Sequence, residues 1–140
     1  MAGTVIADNL QAASTSQLVI KNGVASTPPT IQDSAGTEIG TFCRAWVNFN
    51  GTGTVAIRAS FNVSSITDNG VGLYTVNFTN ALTDANYSVV GWATNATGGS
   101  LIAMSYTNGG TNLTTTACKV GAGFGTTPAD LDTVCYVFFR

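Results

Sequence analysis

The sequence predicts an all-β fold, an antiparallel β-sandwich or jelly roll with an extended N-terminal arm, and three observations predict it. Apolar residues make up 44% of the chain and charged residues only 9%, against roughly 25% charged in ordinary soluble domains. Helix formers for a solvent face are almost missing, since Lys21 and Lys119 are the only lysines and Glu38 the only glutamate. Short segments of alternating polarity recur about every 8–12 residues between glycine and asparagine turns, as in sandwiches and jelly rolls. A chain of 140 residues can bury about 68–70% of its unfolded surface and form one core without staples.

The elements follow in order. Every aromatic residue lies at Phe42 or beyond, which divides the chain into an arm, residues 1–41, and a core-forming body, residues 42–140. The arm carries two β-like pieces, Thr4–Ala7 and Gln17–Lys21, then Pro28-Pro29, which forbids helix and favours an extended connection. It reads either as an attachment segment or as a first pair of sandwich strands. From Cys43 the period-2 signal sharpens: Cys43, Ala45, Val47 and Phe49 share one face and Arg44, Trp46, Asn48 and Asn50 the other. Gly51-Thr52-Gly53 reads as a tight hairpin into Thr54–Phe61. Asp68-Asn69-Gly70 reads as a type I′ turn joining Val63–Thr67 to Leu73–Phe78. Tyr87–Thr94, Leu101–Tyr106, Asn112–Val120 and Thr133–Phe139 complete the strands, with turns at Gly98-Gly99 and Asn108-Gly109-Gly110. Asn80–Asn86 is a place for a short helical turn, and Gly121–Pro128 reads as the longest loop.

Composition excludes several function classes. The chain has no histidine, so neither a Ser–His–Asp nor a Cys–His arrangement can be built. A glycosidase acid pair would have to come from Asp8, Asp33, Glu38, Asp68, Asp84, Asp130 and Asp132, of which Asp68 and Asp84 read as turn residues. Asp130 and Asp132 lack the company that calcium's six to eight oxygen ligands require. Cys43, Cys118 and Cys135 show no CxxC spacing and read as small buried hydrophobes, with a Cys118–Cys135 disulfide as the alternative. No catalytic residue, metal or other cofactor is therefore expected. The net charge is −2 and the basic residues are scattered, which speaks against nucleic acid. No apolar run approaches the ~18 residues of a spanning helix, and the first residues lack the features of a secretory signal, so synthesis in a cytoplasm and no membrane insertion are expected. The sequons at Asn62, Asn77, Asn86, Asn95 and Asn112 are what a chain rich in Asn, Ser and Thr generates by chance.

What remains for function is exposed aromatics, which dock sugars and protein surfaces by area and stacking. Trp92, beside the Thr94–Gly99 loop, Tyr106, beside Thr107-Asn108-Gly109, and Phe124, inside the glycine-rich loop, are the receptor-contact candidates, the first two with a core reading beside them and the third with that of a plain β-loop. Trp46 is placed to cover a second sheet or a neighbouring subunit. Low surface charge leaves apolar area that a specific oligomer would cover.

From Cys43 to Gly91 the run CRAWVNFNGTGTVAIRASFNVSSITDNGVGLYTVNFTNALTDANYSVVG resembles a segment of bacteriophage tail-fibre proteins, especially those of marine and cyanobacterial phages. The start, MAGTVIADNLQAAST, resembles the leaders by which such fibres attach to the particle. The match covers about a third of the chain, and residues 92–140 share in none of it. The resemblance implies a homotrimeric, non-enzymatic virion protein, assembled in the host cytoplasm, with other tail or capsid proteins and a host surface receptor, a glycan among the candidates, as partners. It carries no catalytic residues. A capsid decoration protein needs the same rigid β domain and arm and stands as the alternative.

Overall fold

The fold follows from strands whose two faces meet different surroundings. The computed structural model describes residues 31–95, 112–124 and 127–140, and the backbone of 100–105. The expected strands Thr4–Ala7 and Gln17–Lys21, the turns at 98–99 and 108–110, and Tyr106 lie outside these residues. The described chain is all-β: β1 (Ile31–Gln32), β2 (Glu38–Gly40), β3 (Cys43–Asn50), β4 (Ala56–Phe61), β5 (Val63–Gly70), β6 (Leu73–Phe78), β7 (Ser88–Thr94), β8 (Ser100–Ser105), β9 (Ala117–Phe124), β10 (Thr127–Pro128) and β11 (Thr133–Phe139). β1 and β2 form a hairpin of their own, its turn held by Asp33, whose Oδ1 accepts from the N–H groups of Ala35 and Thr37 at 2.9 Å each.

The other strands pair antiparallel in the order β4-β3-β11-β7-β8-β9-β6-β5, with β10 beside β9. The path folds over at β7/β8, where pairing is confined to Trp92–Ile102, Ala93–Leu101 and Thr94–Ser100. Two four-stranded layers result, β4-β3-β11-β7 and β8-β9-β6-β5, closing a sandwich. Inner-facing residues of both layers make the core: Ala45, Val47 and Phe49 of β3, Val134, Tyr136 and Phe138 of β11, Tyr74, Val76 and Phe78 of β6, and Cys118, Val120 and Ala122 of β9. Phe49 meets Tyr74 edge-on at 5.0 Å across the layers, and Phe78 meets Phe138 at 5.0 Å, the geometry that ring quadrupoles favour.

Asn62 is the corner between the path's two ends. It takes φ +55°, a left-handed conformation that Asn tolerates better than most residues. Its Nδ2 donates to the carbonyls of Arg44 at 3.0 Å and Asn80 at 3.1 Å, and its Oδ1 accepts from Asn80 N at 2.8 Å. At about 1 kcal/mol per net hydrogen bond, one side chain ties β4, β3 and the exit of β6 together.

Four expectations change. The β5–β6 loop is Val71-Gly72 rather than Asn69-Gly70: Gly70 and Gly72 carry the positive φ angles, +119° and +65°, and a bulge spans Asp68 to Gly70. The reason is Asp130, which accepts Gly72 N–H at 2.7 Å and fixes which glycine turns. No helical turn forms at 80–86, because Asp84 Oδ1 accepts from Asn86 N at 2.8 Å and holds an Asx turn instead. The expected loop Gly121–Pro128 is mostly strand, since Gly121–Phe124 extend β9 and Thr127–Pro128 pair back on it. Correspondingly, the strand expected from Asn112 starts at Ala117, after a bridge at Leu113–Cys118.

Candidate interaction surface

Pairing register decides what the sandwich shows to its surroundings. Directly opposed residues of an antiparallel pair share a face, so the rung Phe61–Trp46–Val137–Val90 runs across β4, β3, β11 and β7 on one side. Trp46 is exposed while its neighbours Ala45 and Val47 are buried, which makes that side the outer one. Two residues along β7, Trp92 stands opposite Cys135, and two residues along β11 from Val137 comes Phe139. The outer face of this layer thus carries Trp46 (37% exposed), Phe61 (54%), Val90 (61%), Trp92 (52%) and Phe139 (37%). With about 150–250 Å² per aromatic side chain, these residues present roughly 400 Å² of apolar surface, within the range of the largest patch on a monomer, which is often a functional one. A polar rim lies at one end: Arg58 Nη1 donates to Asn48 Oδ1 at 3.4 Å, Phe49 O at 3.2 Å and Thr133 Oγ1 at 3.4 Å.

The polar groups inside the sandwich hold it together. Three tyrosine hydroxyls reach from one part of the fold to a carbonyl of another. Tyr74 of β6 shares its proton between Gly51 O at 3.0 Å and Asp130 Oδ1 at 3.1 Å. Tyr87 shares its proton between Thr114 O and Ala117 O at 3.1 Å each. Tyr136 of β11 donates to Gly121 O of β9. Burial raises the pKa of all three well above the ordinary 10, and for Tyr74 the Asp130 carboxylate adds to it; they stay neutral donors.

The carboxylates are similarly occupied. Asp68 Oδ1 accepts from Gly70 N at 2.9 Å, as a turn residue does. Asp132 accepts from Thr52 Oγ1 at 3.3 Å, and Asp130 holds Gly72 and Tyr74 as above. Asp84 also forms a fork with Arg140, Oδ1 to Nε at 2.8 Å and Oδ2 to Nη2 at 2.6 Å. Among the described residues no group of three or more potential metal ligands assembles. The three cysteines are free thiols. Cys118 points into the core, where burial pushes its pKa up to about 11, while Cys135 faces outward on a strand that does not adjoin β9, so the alternative disulfide is not formed.

The Asp84–Arg140 fork carries a testable pH dependence. The hydrogen bonds from Arg140 and from Asn86 N lower the Asp84 pKa from 3.8 to about 2. A depressed carboxylate stabilises the fold above its unfolded pKa and loses that contribution as pH falls through the folded one. Asp84→Asn is expected to lower the thermal midpoint slightly at about pH 6, with the gap to wild type closing between about pH 4 and pH 2 and shrinking in high salt, because the pair is exposed. Differential scanning calorimetry across that range checks it.

A cleft of about 470 Å³ opens between the layers where β8 leaves β7, lined by Tyr87, Val89, Gly91, Leu113, Cys118 and Tyr136 among others. Among the described residues its one buried side-chain acceptor without a partner is Asn112 Oδ1. Cys118 and Lys119 also line it, and burial keeps the Cys118 thiol in its neutral form near pH 7.

Of the expected contact residues, Trp92 and Phe124 are both exposed, but they do not share a face. Trp92 shares its rung with Ile102 and Gly123, whereas Phe124 has the inner-facing parity of Ala122 and projects at the end of β9. Tyr106 lies outside the described residues. Sequence reasoning missed Phe61, Val90 and Phe139 as surface residues. The signal was in β11, where Thr-Val-Cys-Tyr-Val-Phe-Phe is apolar on both faces, the pattern of a strand covered on both sides. No protein-family model, curated protein or solved structure matches this chain.

Proposed function

We propose that this chain is a non-enzymatic structural subunit of a bacteriophage particle, a tail-fibre protein that acts as a homotrimer, joins the particle through its N-terminal arm and touches the host surface with its β domain. The observation that carries the reading is the division of labour among side chains. The buried tyrosines and the aspartates of the body serve turns, strands and the joints between layers, while among the described residues one outer sheet face bears both tryptophans of the chain together with exposed Phe61, Val90 and Phe139. Such a molecule is built to adhere rather than to transform a substrate. The phage assignment comes from the resemblance of residues 43–91, which fold as one continuous stretch from β3 into β7.

The test is immunogold electron microscopy of particles with antibodies raised against the purified chain. Label at the distal tail is the expected result. Label over the capsid would replace the fibre by a decoration protein, and unlabelled particles would overturn the virion assignment.

A further inference from the structure

We infer that the outer face of the β4-β3-β11-β7 layer is the surface on which copies of this chain meet one another, whether two such faces pack as a pair or three turn toward the axis of the proposed trimer; the inference rests on reading the chain as an assembling structural subunit and names the face that does it. The face is four strands wide, with the rung Phe61–Trp46–Val137–Val90 at its centre and Trp92 and Phe139 beside it.

Area, charge and shape each point to a second copy. Two faces with roughly 400 Å² of apolar surface each would remove about 800 Å² of it from water, and at an apolar share of about 56–65% the whole interface reaches about 1,200–1,400 Å². That clears the ~1,000–1,200 Å² at which specific association begins. Among the described residues the face bears no carboxylate, and its one charged side chain besides the buried Arg44 is Arg58, already bonded to Asn48, Phe49 O and Thr133 at the rim. An acidic or basic partner therefore gains nothing at its centre, whereas an identical neutral face fits. Small ligands favour concave sites, and the cleft lies between the layers rather than on this sheet. A sheet face packs instead on another sheet at about 10 Å, with side chains interdigitating. The polar edge of Arg58, Asn48 and Thr133 at one end of the apolar rung is in keeping with the polar rim of such interfaces.

Trp46 and Trp92 are the only tryptophans in the chain, so intrinsic fluorescence reports on this face alone. The experiment uses the full chain, with mass from light scattering and tryptophan emission followed from about 0.1 to 100 µM. The expected result is an oligomer at high concentration whose emission shifts to the red as it dissociates on dilution. Val90→Lys should weaken association more than ten-fold and shift the emission red at all concentrations, with an unchanged far-UV spectrum. Trp46→Gln should weaken it in the same way without adding charge. Val71→Lys, at the exposed β5–β6 tip away from this face, should leave the mass unchanged. A wild-type monomer at 100 µM would overturn the inference, as it would if the chain's own residues 1–30 covered the face. An oligomer that survives both Val90→Lys and Trp46→Gln with wild-type affinity would overturn it too, by placing the contact elsewhere. All of this is measured on the isolated chain, so its failure leaves the particle labelling to stand or fall separately.

Discussion

Gly72→Ala is expected to cost more than about 4 kcal/mol of unfolding free energy, enough to leave a domain of ordinary stability largely unfolded. Two effects add. Gly72 has φ +65°, and an alanine there pays about 1–2 kcal/mol for the left-handed conformation. A Cβ at this position would also lie 2.4 Å from Ala122 O and 2.4 Å from Ala129 N, and both are backbone atoms that cannot swing aside. The hairpin is held in that crevice by Gly72 N–H to Asp130 Oδ1 at 2.7 Å and by Ala122 N–H to Gly72 O at 2.8 Å, so retreat breaks both bonds. Gly53→Ala isolates the first effect, because Gly53 has φ +59° but nothing within 4 Å of an added Cβ. That variant should lose only about 1–2 kcal/mol. Urea unfolding followed by circular dichroism compares them. If the two variants melt within about 1 kcal/mol of each other, the β5–β6 tip does not sit against β9 and Ala129 as described.

The contrast between those glycines also shows what the sequence could and could not reveal. Cys43–Asn50 and Thr133–Phe139 were legible to the residue, the first because its alternation reflects one dry face, the second because a short apolar run of β-branched and aromatic residues reads as a strand, and neither needs knowledge of the partner strand. The Asn69-Gly70 turn was not, although it has the right residues. The choice between two nearby glycines is made by Asp130, 58 positions along the chain. Gly123 misled for a related reason. It serves close packing rather than a turn: a Cβ there would lie 2.1 Å from Thr127 O, so only glycine lets β10 fold back on β9. Local composition cannot distinguish a glycine that bends the chain from one that lets another chain segment approach.

The surface was legible one residue at a time but not as a surface. Trp46 stood on the polar side of its strand, and Trp92 stood near a loop. Joining them needs β11 between β3 and β7, a pairing of segments about ninety positions apart in the first case. Once that register is fixed, Trp46 and Trp92 are a diagonal of about 12 Å across three strands, and Phe61, Val90 and Phe139 fall into line with them. The same register separates Trp92 from Phe124, which lie on opposite sides of the β7-β8-β9 rungs. Charge depletion, visible from composition alone, acquires its location only here.

Adjacent phenylalanines on β11 give the sharpest test of the inner and outer faces together. Phe138 is fully buried and meets Phe78 at 5.0 Å, Tyr87 at 6.1 Å and Tyr136 at 6.5 Å, so it ties the β11 layer to β6 and to the start of β7. Phe138→Ala removes that contact and leaves a cavity among rings that are themselves anchored by hydroxyl bonds, Tyr87 to Thr114 O and Ala117 O and Tyr136 to Gly121 O. Rings so held cannot collapse into the space, which places the loss at the upper end of the usual range, about 4–5 kcal/mol. Phe139, the next residue, faces outward and is already 37% exposed. Phe139→Ala should cost under about 1.5 kcal/mol when the protein is dilute, because little packing is lost from a monomer. At high concentration its cost should grow, since a substitution on an associating face also removes the stabilisation that association supplies by mass action. Thermal melts of both variants at about 1 and 100 µM read the difference: the Phe138→Ala deficit should be nearly the same at the two concentrations, and the Phe139→Ala deficit should rise. Equal and large losses at both positions would mean that β11 is buried on both faces within a single copy.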